Sequence, residues 1–156
     1  MEEEVAIRLI EGDISKMRSD GPIVFKEMPL AHQYCLGSGI ELGAAAHNPF
    51  GLKNCINVAP WSDAPDHIDY KDFAFYSVEQ IMMCGKYVAV DVVGEAHAIS
   101  LPDASQEYVL SSHVIEHLPN LIAAFTEWNR VLKSGGIVFM VFPKRDALPS
   151  DRTRPI

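Results

Sequence analysis

The stretch EYVLSSHVIEHLPNLIAAFTEWNRVLKSGGIVFMVF, residues 107–142, decides the fold class. It opens with Glu107, Tyr108, Val109, Leu110 and Ser111, a compact run of strand formers. Pro119 and Asn120 then introduce apolar residues at three- and four-residue spacing: Leu121, Ile122, Phe125, Trp128, Val131 and Leu132. That period predicts an amphipathic helix. Gly135 and Gly136 end it, with Lys133 near the negative end of the helix dipole. Residues 137–142 are apolar without interruption, the pattern of a strand buried on both faces of a sheet. Strand, helix and strand at this length make a βαβ unit, whose two strands run parallel.

Working outward, the same alternation continues upstream. Residues 87–93 predict a strand ended by Gly94, and residues 71–84 a helix closed by Gly85. Residues 61–70 are rich in Asp and Pro and read as loop, and residues 55–58 form a brief strand stopped at Pro60. The apolar patch Tyr34, Cys35, Leu36 runs into Gly37-Ser38-Gly39, after which residues 40–47 predict a helix stopped by Asn48-Pro49. Residues 1–30 form a lead-in with a short amphipathic start (Val5, Ile7, Leu9, Ile10) and a Gly21-Pro22 turn. The expectation is one α/β domain over residues 1–156, a Rossmann-like parallel sheet with flanking helices.

With 156 residues, 48% of them hydrophobic, the chain can bury a single core. Its net charge of -8 lacks the basic field that phosphate backbones demand, so no nucleic acid is expected as primary ligand. The same charge opposes docking on anionic membranes, and no apolar stretch approaches a membrane span. The N-terminus MEEEVAIRLI is acidic where a signal peptide is positive, which points to a cytoplasmic protein. Cys35, Cys55 and Cys84 are odd in number and form no C-x-x-C pair, so neither a disulfide framework nor a zinc ribbon is expected.

In an open parallel sheet, ligands bind beyond the carboxyl ends of the strands. The candidates are therefore residues 37–43, 58–60, 94–96 and 111–113. Gly37, Gly39 and Gly43 sit in a G-x-G-x-x-x-G run, one residue off the dinucleotide fingerprint, and Asn57-Val58-Ala59-Pro60 offers no acid for a ribose. Both departures count against a nicotinamide cofactor.

The order Gly94-Glu95-Ala96, Leu101-Pro102-Asp103, Ser111-Ser112-His113, Glu116-His117-Leu118 and residues 130–136 (RVLKSGG) resembles class I S-adenosylmethionine-dependent methyltransferases. The resemblance implies S-adenosylmethionine as cofactor. It implies that Gly37, Ser38 and Gly39 cradle the methionine part and that Glu95 faces the adenine amino group beside the Ala96 N–H. It also implies that Ser111 lies at the strand end under the methionine part. Where such enzymes carry a ribose-binding acid this chain has Ala59 and Pro60, leaving Glu41 or Asp63 as substitutes.

His113-Val114-Ile115-Glu116-His117 spells an inverted zinc-protease motif, but it follows a strand directly and meets Pro119, so no metal is expected. His117 reads as an anchor for a short helix, and His113 as either a structural residue or a general base toward a hydroxyl nucleophile. The implied acceptor is a small molecule or saccharide, methylated on oxygen or nitrogen. The charged residues 144–146 and 151–154 are candidate acceptor contacts. Such enzymes usually continue with a helix and antiparallel strands. Their absence here would leave residues 138–142 as an exposed edge, suited to a homodimer, or mark a fragment of a longer protein. The alternative to turnover is a cofactor-binding or interaction module that keeps only the nucleotide half of the fold.

Overall fold

A computed structural model of the chain describes residues 28–43, 50–60 and 90–142. The described chain enters through a short helix, α1 (Met28–Tyr34), and continues into β1 (Gly39–Leu42), β2 (Cys55–Ala59), β3 (Val92–Val93) and β4 (Gln106–Ser112). A single 3-10 turn over Ile115–His117 leads to α2 (Leu121–Val131) and β5 (Leu132–Val141). The five strands form one sheet in the order β3-β2-β1-β4-β5, every pairing parallel. This is the expected α/β architecture. Strand order reverses between β1 and β4, so the crevice that such sheets use for ligands opens at the carboxyl ends of those two strands.

Side chains alternate across the sheet and divide the core in two. On one face Ile40, Leu42, Val58 and Val109 pack with Ile99 and with Ala124, Trp128 and Val131 of α2. On the other, Tyr108 and Leu110 pack with Ala31 and Cys35 around α1 and with Phe50 and Leu52. Asn120 caps α2 by accepting from the Ala123 N–H at 3.0 Å, so the helix starts where the Pro119-Asn120 signal put it.

Four expectations change, the first of them at the end of α2: the helix stops at Val131 because Leu132 already has an extended backbone (φ -73°, ψ 137°), so Gly135 and Gly136 lie inside β5 rather than ending the helix. Tyr34, Cys35 and Leu36 are not a strand: Tyr34 closes α1, and the first strand begins at Gly39, taking in residues 40–42 that read as helix. The reason is tertiary. β1 is central and bonds to both β2 and β4, and two ladders override the local signal of a four-residue segment with an acid inside it. Next, β5 is an edge strand rather than one buried on both faces. Among the described residues it pairs only with β4, and Ile137, Val138, Met140 and Phe142 are exposed. Last, the apolar arc of α2 is wider than the stripe it buries. Leu121, Ile122 and Phe125 face outward, with the Phe125 ring edge-on to Trp128 at 5.1 Å. The predicted lead-in up to residue 27, the remainder of the helix expected over residues 40–47, loop 61–70, helix 71–84, the start of the 87–93 strand and the charged tail lie outside the described residues.

Candidate active site

The glycine run first read as a ligand cradle divides between opposite edges of the sheet. Gly37 and Ser38 precede β1, at its amino end. There the Ser38 N–H donates to Glu107 Oε2 at 2.5 Å, Lys133 Nζ donates to Glu107 Oε1 at 2.6 Å, and the Glu107 N–H donates to the Ser38 carbonyl at 2.7 Å. Lys133, helped by the Ser38 N–H, holds the Glu107 carboxyl below its usual range. Gly39 is the first residue of β1, and a Cβ there would lie 2.4 Å from the Tyr108 ring. Gly37, Ser38 and Gly39 therefore close the sheet at the end away from the ligand crevice, and the expectation that they cradle a cofactor is corrected. The error follows from the misplaced first strand: moving it five residues along turns a loop after a strand into a loop before one.

The glycine at the crevice is Gly43, directly after β1. Its φ is 109°, and a Cβ there would meet the Val114 side chain at 2.8 Å, so only glycine fits without displacement. Its N–H donates to the Val58 carbonyl at 3.2 Å. Glu41, two residues earlier, is buried and stands in register with Asn57 of β2 and Leu110 of β4. Asn57 is fully buried, and neither polar atom of its side chain has a partner among the described residues. Its backbone N–H donates to Asp91 Oδ2 at 2.8 Å, tying the approach to β3 against β2. β2 ends in Ala59, whose carbonyl accepts from the Gly94 N–H at 2.8 Å, and then Pro60. No acidic side chain stands at that strand end among the described residues, and Asp63 lies outside them.

After β3, the Glu95 side chain is exposed and its carbonyl accepts from the Ala98 N–H at 2.9 Å. The Ala96 carbonyl accepts from the Trp128 indole N–H at 2.9 Å. The loop then runs along α2. Arg130 donates to the carbonyls of Ile99 (2.8 Å) and Leu101 (2.9 Å), while the Ile99 N–H donates to Glu127 Oε1 at 2.6 Å. Arg130 also grips Glu127 through Nε (2.8 Å) and its second terminal nitrogen (2.7 Å), a bidentate pair that holds the Glu127 carboxyl below its ordinary range.

After β4 the structure sets Ser111 and His113 beside the switch in strand order. Ser111 pairs in register with Leu42 of β1, is fully buried, and has no partner for its hydroxyl among the described residues. It underlies the crevice rather than lining it. His113 takes a left-handed backbone, φ 55°, a conformation uncommon outside glycine, while its N–H is held by the Val141 carbonyl at 2.8 Å. Its side chain is 52% exposed, and Nδ1 lies 3.6 Å from Glu116 Oε1. The H-x-x-E-H pattern does not put His113 and His117 on one helix face, because His113 lies outside the 3-10 turn that holds His117. Cys35 and Cys55 are free thiols. Burial pushes them up to about 11 and about 12 respectively, with Glu41 adding to the effect on Cys55, so neither offers a thiolate nucleophile.

The structure thus brings together Glu41, Ser111 and His113 around β1 and β4, with Glu95 and Ala96 beyond β3, and it removes Gly37, Ser38 and Gly39. Reading by residue type placed Gly43 in the candidate run without giving it a role, and it missed the grip of Glu127, Trp128 and Arg130 on the Glu95 loop. The available signal for Gly43 was the apolar-polar-apolar alternation Ile40-Glu41-Leu42 directly before it.

A family model described as a methyltransferase domain matches residues 37–140. Among solved structures, the PH0226 protein from Pyrococcus horikoshii OT3 is similar at 25% identity, with a TM-score of 0.52, over 80% of this chain and 55% of that one. A SAM-dependent methyltransferase from Aquifex aeolicus is 17% identical, with a TM-score of 0.49, over 80% of this chain and 69% of that one. No curated protein sequence matches. The chain spans 55% of the length of the Pyrococcus protein.

Proposed function

This chain belongs to the methyltransferase domain family, and from that premise we propose that the carboxyl edge of its sheet binds S-adenosylmethionine. We further propose transfer of the methyl group to an oxygen or nitrogen of a small molecule or saccharide. The observation that carries this reading is the strand end of β1. A glycine with φ 109° follows a buried carboxylate at the reversal of strand order, and a Cβ would close the approach against Val114. The surrounding residues fit the methionine and adenine parts of such a cofactor: Gly43 beside the first, with Ser111 beneath, and Glu95 with the Ala96 N–H beside the second. The ribose diol finds no acid at the end of β2, and Glu41 on the adjacent strand is our assignment for it.

When bound, the cofactor supplies a methyl group on a sulfonium that is already strongly electrophilic. What the chain must add is alignment and the exclusion of water. His113, at the end of β4 with Glu116 near Nδ1, has Nε2 available to accept the acceptor's proton as the new bond forms. The left-handed backbone at His113 supports a functional role, since strain of this kind is kept where side-chain direction matters. The acidic composition and the absence of a long apolar helix among the described residues suit a soluble acceptor and a cytoplasmic setting.

Calorimetric titration with S-adenosylhomocysteine tests the cofactor reading. Binding that weakens about tenfold in Glu95→Ala, the loss of one hydrogen bond to a charged group, supports it. No binding by folded protein removes it. A second reading, an interaction module without turnover, draws on Ala59 and Pro60 at the ribose position and on the exposed apolar side chains of β5. That same edge supports a homodimer, and a sedimentation run showing only monomer counts against it.

A further inference from the structure

The segment between Gly94 and Ser105 carries Glu95 and Ala96 but makes few backbone hydrogen bonds of its own. Ala98 donates to Glu95 and Leu101 to Ile99. Most of its remaining ties run to the last turns of α2, and three of them are made by one side chain. Arg130 uses all three guanidinium nitrogens. Nε is on Glu127, one terminal nitrogen is shared by Glu127 and Ile99 O, and the other by Leu101 O and Asp103 Oδ1 at 2.5 Å. Glu127, fixed by that grip, accepts the Ile99 N–H, and Trp128 next to it takes the Ala96 carbonyl. The Arg130 and Val131 carbonyls then receive the N–H groups of Ala104 and Ser105, both at 2.8 Å.

We infer that Arg130, acting through Glu127, is a positioning residue for the adenosyl side of the cofactor site; the inference rests on the cofactor reading above. Glu95 is exposed, and its carboxylate makes no hydrogen bond among the described residues. Where that carboxylate points is therefore set by the backbone under it, and the backbone is templated by α2. Ile99, buried in the core beside α2, pins the middle of the loop by packing. Packing alone leaves rotation of the peptide planes free, and the fork removes it by engaging carbonyls on both sides of Ser100. A lysine can supply one of these bonds but not the planar set, so Arg130 is not interchangeable with it.

The experiment compares S-adenosylhomocysteine affinity in the wild-type chain, Arg130→Gln, Arg130→Lys and Glu107→Gln, with circular dichroism and thermal unfolding on each. Glu107→Gln breaks the ion pair at the amino edge and serves as a control for lost stability without lost geometry. Arg130→Gln is expected to weaken binding roughly tenfold, the size of one charge-assisted hydrogen bond. Arg130→Lys should lose less, and Glu107→Gln should stay within about twofold of wild type at a comparable loss of Tm. Amide exchange should rise locally over residues 95–101 in Arg130→Gln and not in Glu107→Gln. Equal affinity in folded Arg130→Gln and wild type overturns the inference, as does an equal loss in Glu107→Gln. If Arg130→Gln does not fold, Arg130→Lys carries the comparison, and unchanged affinity there overturns the inference too. Failure of the wild-type chain to bind overturns the cofactor reading itself, and this inference with it.

Discussion

The two ends of the sheet are built differently around their glycines. At the amino end, Glu107 takes a backbone N–H and a lysine, and the left-handed Gly37 sits against that same carboxylate. At the carboxyl end, Ser111 is fully buried with a hydroxyl that has no partner among the described residues, and His113 holds a backbone that costs roughly 1–2 kcal/mol outside glycine. Polar groups that are satisfied locally hold a fold together. Left-handed residues other than glycine (Asn54, Ala104) and a buried Gln106 Oε1 without a partner among the described residues occur at the amino end as well, so such features point to a site only where they meet the crevice. Both ends carry glycines with positive φ, so conformation alone does not tell them apart. What distinguishes them is what surrounds the glycine.

Substitutions at the two ends should therefore fail in different ways. The largest effect is expected at His113. His113→Gly relieves the left-handed backbone, so Tm should hold or rise slightly, while methyl transfer to a competent acceptor should fall by about 10²–10⁴ for loss of a general base. Stability from thermal unfolding and turnover from radiolabelled methyl transfer give the two readings. Unchanged turnover would mean that His113 is strained for no catalytic purpose. The next effect lies at the amino end. Gly39→Ala puts a methyl group into the Tyr108 ring and should cost about 3 kcal/mol in a urea titration, with cofactor affinity preserved in the folded fraction. A loss of affinity there beyond the loss of folded protein would blur the division between the ends.

How legible this was in the sequence varied along the chain. The βαβ half could be read because its signals are long and agree, a Pro119-Asn120 start with Trp128 and Val131 at helical spacing, although the glycines expected to stop the helix fall inside β5. Even there the pattern overshot. Apolarity at Ile122 and along residues 137–142 says that these positions tolerate burial, not that a partner exists to bury them. The first half of the site was harder. β1 is four residues long with Glu41 inside it, and its strand character comes from β2 and β4, which are distant in sequence. The more apolar Tyr34-Cys35-Leu36 drew the strand five residues too early, which put Gly37 and Gly39, rather than Gly43, after it. Glu95 and Ala96 entered through their motif, and the structure places them after β3. The grip of Arg130 on their loop was not legible, because a side chain reaching a carbonyl about thirty positions away leaves no periodicity to read.

Gly37 and Gly43 offer the most direct test, since both hold positive φ, 81° and 109°, at opposite ends of β1. Alanine at either strains the backbone and crowds a neighbour, Glu107 in one case and Val114 in the other. Titration of Gly37→Ala and Gly43→Ala with S-adenosylhomocysteine separates strain from site. The expected result is affinity within about twofold of wild type for Gly37→Ala and a loss of at least tenfold for Gly43→Ala, roughly 1.4 kcal/mol or more. Retained affinity in folded Gly43→Ala, with loss in Gly37→Ala, would put the cofactor at the wrong end of the sheet and contradict the assignment of the carboxyl edge.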